Sequence, residues 1–72
     1  MNLNEDDINL AVVEAHKATT TAMNELDPLS LSIRNKTGGE HIVEAFGLLS
    51  QAQSLLRAAA IERDIEERLE DE

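Results

Sequence analysis

Residues 42–60 read Ile-Val-Glu-Ala-Phe-Gly-Leu-Leu-Ser-Gln-Ala-Gln-Ser-Leu-Leu-Arg-Ala-Ala-Ala, and this stretch decides the fold. Ala45, Leu48 and Leu49 recur seven residues on as Ala52, Leu55 and Leu56, and Ala59 opens a third repeat. A seven-residue apolar period is a helical signal. With Ile42, Phe46 and Ala60 added, the apolar positions span about half of the helix circumference at 3.6 residues per turn. One short helix cannot cover so wide a face. The recurring alanines permit close helix approach, and the paired leucines can face two neighbours. Ile42, Ala45, Phe46, Leu48, Leu49, Ala52, Leu55, Leu56 and Ala59 are therefore the candidate oligomer interface.

Upstream, a first helix is expected over about residues 4–26. Asn4 is a good N-cap, and Glu5, Asp6 and Asp7 suit the positive end of the helix dipole. Leu3 and Ile8 have the spacing of a hydrophobic staple. Ile8, Val12, Ala15, Thr19, Ala22 and Leu26 follow in steps of 4-3-4-3-4, widened by Ala11 and Met23. Asp27-Pro28 ends the helix, since proline disfavours helical backbone in the residue before it.

The connection, about residues 27–38, has two readings. Leu29 and Ile33 lie one helical turn apart, which fits a short helical turn or an ordered loop. The run Leu29-Ser30-Leu31-Ser32-Ile33 also alternates like a strand, which would need another subunit to pair with. The helical turn or loop is the preferred reading. A second helix is expected over about residues 39–70. Thr37 and Glu40 have capping-box spacing, or Gly38 and Gly39 make a tight turn just before the helix. Ile61, Ile65 and Leu69 continue it as a narrow stripe turned off the main face, and the acidic last residues are expected to be loose against the negative dipole end.

The fold class that follows is all-α. A single domain, residues 1–72, forms an antiparallel helical hairpin with a possible short helical turn in the connection and assembles into a helical-bundle oligomer. The length supports that expectation. A lone core below about 80 residues rarely supplies more than ~3–5 kcal/mol. With no cysteine among the 72 residues, disulfides and thiolate metal sites are excluded, which leaves partners or further copies as the extra source of stability.

Charge narrows the function classes. A formal net charge of −9 opposes binding to duplex phosphates, which requires clustered Lys and Arg, and opposes anionic membranes. A single Phe gives no base-stacking platform. No apolar run approaches the ~20 residues of a membrane span. The acidic Met1–Asp7 start does not read as a signal peptide, so the cytoplasm is the expected location.

The chemistry-bearing residues are sparse. Ser30, Ser32, Ser50 and Ser54 have no local signature joining them to His16 or His41, so no enzyme is expected. Glu40 and Glu44 share a helix face beside His41, but the Glu-x-x-His spacing of carboxylate metal bundles is missing, so no metal or cofactor is expected and both histidines read as solvated. Ser50 and Ser54 read as the polar flank of a packed helix. The tail from Glu62 to Glu72 reads as a solubilising helix end with a local Asp64–Arg68 pair, or as an acidic surface for a basic partner.

One segment departs from the acidic background. Arg34, Lys36, Thr37, Gly38 and Gly39 combine two cations, two glycines and a helix start, the ingredients of an anion site. A solvated loop whose glycines only make the turn has the same composition. The spacing is not that of a P-loop.

Arg34 and Thr37, followed by Ile42-Val43-Glu44-Ala45-Phe46, resemble small phage-encoded helical-hairpin proteins that oligomerise and sequester cyclic-nucleotide immune signals. The resemblance covers about a third of the chain. It implies an oligomeric hairpin with a nucleotide ligand, and it transfers no family site residue. Two functions are thus expected. The first is an acidic, non-catalytic, oligomeric protein-interaction or inhibitor module, meeting itself or a protein with a basic or apolar surface. The alternative is an oligomeric sponge for a small phosphate-bearing ligand such as a cyclic nucleotide.

Overall fold

A computed structural model describes residues 4–29 and 32–70. Helix α1 spans Glu5–Leu26, a 3₁₀ turn spans Asp27–Leu29, helix α2 spans Gly39–Glu62, and a second 3₁₀ turn spans Glu66–Leu69. The two helices form an antiparallel hairpin. Thr20 meets Gln53, Val13 meets Ala60, and Asn9 meets Arg63, so positions rise along α1 as they fall along α2.

The expected caps of α1 are present. The Asn4 Oδ1 accepts from the Asp7 N–H at 2.8 Å, below three first-turn carboxylates. The Leu3 half of the proposed staple lies outside the described residues. At the other end Asp27 still has helical dihedrals, and its N–H donates to the Met23 carbonyl. Pro28 then brings no N–H, so the ladder cannot continue and the chain tightens into the 3₁₀ turn. The Ile33 N–H returns to the Leu29 carbonyl at 2.9 Å, a helical-type turn and not a strand. Ser30 and Leu31, also part of the strand reading, lie outside the described residues.

The buried line of α1 is rotated from the stripe the sequence proposes. Its fully buried residues are Val13, His16 and Thr19, while Ile8, Val12, Ala15, Ala22 and Leu26 are half-buried. His16, expected to be solvated, is 6% exposed, and no hydrogen-bond partner reaches its Nε2. The exposed His41 agrees with the solvated reading.

The largest correction concerns the C-terminal third. Helix α2 does not run to residue 70; it ends at Glu62. Asp64 adopts φ 62°, its N–H donates to the Ile61 carbonyl at 3.1 Å, and the Ile65 N–H donates to the Ala60 carbonyl at 2.9 Å. These two bonds form the Schellman stop, usually built on glycine, here with an aspartate in the left-handed position. The apolar contact that accompanies this motif is Ile65 with Ala60. Ile65 and Leu69 thus fold back into the core beside Val13, leaving Ile61 exposed. The tail is held as far as the buried Leu69; Asp71 and Glu72, among the last residues expected to be loose, lie outside the described residues. Arg57 pairs with Glu66 at 3.2 Å and lies 3.9 Å from Glu70, replacing the expected Asp64–Arg68 pair, and Arg63 bridges to Asn9 and Glu5. These pairs are partly exposed and each contributes no more than ~1 kcal/mol.

The stop at Asp64 separates two descriptions of the tail. Asp64→Gly should raise the melting temperature, because left-handed backbone costs a non-glycine residue ~1–2 kcal/mol. Asp64→Val should lower it, by about 4–8 °C for each kcal/mol lost. In an uninterrupted helix the glycine variant would instead melt lower, so a pair of thermal melts decides between them.

Candidate functional site

Two surfaces merit description as sites: the connection between the helices and the free flank of α2.

In the connection, Gly38 sits at φ 78° as the N-cap of α2 and brings no side-chain cap. Of the two sequence readings, the glycine turn is therefore the one adopted; Thr37 is exposed and does not cap the helix. Gly39 is buried. An ideal Cβ there would fall 1.8 Å from the Ile33 carbonyl oxygen, so only glycine lets the connection lie this close to α2. The Lys36 N–H donates to the Ile33 carbonyl, and the Gly39 N–H to the Lys36 carbonyl, both at 2.9 Å.

Arg34, Lys36, Gly38 and Gly39 line one shallow depression of about 290 Å³ with Asn35, Glu40 and His41; Thr37 is not among the lining residues. Arg34, Asn35 and Glu40 also line an adjoining space of about 350 Å³ with Val43. The cations are thus brought to a helix N-terminus, as an anion site needs. The Glu40 carboxylate stands in the same depression and opposes an anion. Ion and dipole supply attraction here, but both spaces are open to solvent, which screens them.

On α2 the wide apolar face divides into two rows. Ile42, Phe46, Gln53, Leu49, Leu56 and Ala60 lie on the α1 side; all are half-buried except Ala60, which is fully buried, and the Gln53 Nε2 donates to the Thr20 Oγ1 at 2.6 Å. Ala45, Leu48, Ala52, Leu55 and Ala59 form the second row, in steps of 3-4-3-4. Leu48 is 58% exposed and Leu55 71%, Ala45 is exposed, and Ala52 and Ala59 are half-buried between the rows. The expected interface residues therefore fall into an intramolecular set and a free set. Sequence periodicity showed a broad face, but only the position of α1 shows which half it covers.

The free row extends onto α1. In an antiparallel pair, equivalent heptad flanks lie on the same side. Ile8, Ala15, Ala22 and Leu26, all uncharged and half-buried, therefore lie on the same side as the row from Ala45 to Ala59, whereas Val12 packs against the core and Thr19 is buried, so the α1 part of this surface is interrupted. The opposite flank carries Lys17 and Arg57 and is covered in part by the returning tail.

Ser50 and Ser54 are exposed on the outside of α2, and His16 and His41 lie on different helices. Among the described residues no group of three or more His, Cys, Asp or Glu converges on a point, and no helix is long and apolar enough to cross a membrane. No protein-family model, curated protein or solved structure matches the chain.

The close approach at Gly39 has a measurable consequence. Gly39→Ala should destabilise by ~1–3 kcal/mol, since the neighbour is backbone and cannot rotate away. Gly47→Ala, in open space within α2, should instead stabilise by ~0.5–1 kcal/mol. Urea unfolding of the two variants measures both signs.

Proposed function

We propose that this protein is a small, acidic, non-catalytic interaction module that docks an apolar helical surface onto the free row of α2. The observation that carries the reading is the exposure of Leu48 and Leu55 within a stretch, residues 45–56, that has no charge in a chain of net charge −9. Exposed leucines are ordinary when scattered; aligned at heptad spacing among alanines, they mark an interface. Solubility alone would favour carboxylates at these positions, as on the rest of the surface.

Leu55→Glu is the test. An exposed leucine contributes little to the hairpin itself, so the melting temperature of the isolated fold should move within about ±0.5 kcal/mol equivalent. Association, read by sedimentation velocity and by retention of any co-purifying protein, should be lost. Unchanged association in both assays removes this use of α2.

A second reading rests on the depression holding Arg34 and Lys36 at the N-terminus of α2. In it, the protein is a sponge for a small phosphate-bearing ligand such as a cyclic nucleotide, with the two cations contacting phosphate. Calorimetric titration with cyclic and linear nucleotides should then show heat that Arg34→Ala reduces at least tenfold in affinity, or ~1.4 kcal/mol. Absence of heat with the unmodified chain rules this reading out.

A further inference from the structure

We infer that the occupant of the free row is a second copy of this chain, with α2 packed antiparallel on α2 of its partner about a two-fold axis near the middle of the helix. The inference rests on the interaction reading above and names the partner.

Three observations point to it. First, the row complements itself. An antiparallel register centred on residue 50, one residue from full overlap of the two 24-residue helices, places Ala45 opposite the partner's Leu55, and Leu48 opposite the partner's Ala52. The layers at Ala45, Leu48, Ala52 and Leu55 then each set a leucine against an alanine, the alternation of large and small that lets facing layers interdigitate, while Ala59 faces position 41 of the second copy. A parallel pair would set Leu on Leu and Ala on Ala, leaving gaps at the alanine layers.

Second, electrostatics select the same arrangement. One end of the hairpin gathers Glu5, Asp6, Asp7, Glu62, Asp64 and Glu67 with Arg63 and Arg68, while at the other Arg34 and Lys36 offset part of the charge of Glu25, Asp27, Glu40 and Glu44, so that end is the less acidic of the two. Antiparallel pairing brings the strongly acidic end of each protomer beside the less acidic connection end of its partner, which lowers the repulsion between copies. Parallel pairing would stack acidic end on acidic end.

Third, a chain of net charge −9 repels its own copy except where carboxylates are missing. The face made by the row and its continuation on α1 contains none. Closure of the two-fold also makes the contact self-limiting, giving a four-helix bundle and no fibre.

The chain has no cysteine, so introduced thiols report position cleanly. Disulfides need Cα atoms within about 7 Å. A mixture of full-length Ala45→Cys and Leu55→Cys chains should oxidise predominantly to the mixed dimer. Ala45→Cys alone should stay reduced, because antiparallel register separates its two copies by ~15 Å along the helix axis. Native mass spectrometry of the unmodified chain should show an even-numbered oligomer. Rapid self-linking of Ala45→Cys would overturn the antiparallel arrangement. A monomer throughout the micromolar range would overturn self-pairing altogether. If that monomer still held a different protein through Leu55, the interaction reading would survive and only the identity of the partner would be wrong.

Discussion

Ala60 has no exposed surface, and three elements meet on it. Helix α1 contributes Val13, α2 contributes the alanine itself, and the returning tail contributes Ile65 and Leu69. A larger residue at position 60 would hold the helices apart and leave no seat for the tail. The tail arrives there only because the chain reverses at Asp64 in left-handed backbone. One methyl-sized contact and one strained dihedral thus fix the length of α2, the pairing of the helices at this end, and the closure of one flank of the hairpin.

That closure explains why the other flank is free. The described fully buried apolar residues are Val13, Ala60, Ile65 and Leu69, and among the described residues no large side chain is wholly enclosed. A two-helix layer has two sides, and this chain has one short tail with which to cover them. The tail covers the side carrying Arg57, where Glu66 meets the guanidinium. The side carrying Leu48 and Leu55 keeps its apolar surface and lacks charge. Heptad spacing on that side, and the lower negative charge of the connection end, make it suited to another helix pair. The connection adds a second, weaker feature, a solvent-open depression in which Glu40 offsets part of the attraction of Arg34 and Lys36.

Legibility in the sequence followed the range of the interactions. Asn4 and Asp27-Pro28 act through their own neighbours in the chain and were readable, while at the start of α2 the sequence left a Thr37–Glu40 capping box and a glycine turn as alternatives. Asp64 also acts locally, but its residue type gives a weak signal, because glycine is the usual occupant of that position. Reading Ile61, Ile65 and Leu69 as one helical stripe followed from their spacing; only a break in the helix separates Ile61, outside, from Ile65 and Leu69, inside. His16 was misplaced for a different reason. Polarity alone assigns it to solvent, whereas the pairing of the helices buries it at 6% exposure.

By itself, the sequence determined two helices, their caps, their antiparallel connection and an apolar face on α2 too wide for one neighbour. These depend on periodicity and on backbone chemistry within a few residues. The tertiary structure decided which half of that face α1 covers, where α2 stops, and that the tail returns to the core. It also placed the Arg34–Lys36 cations with Glu40 in one depression. Those outcomes depend on contacts between residues such as Val13 and Leu69, far apart in the chain, whose meeting no local pattern records.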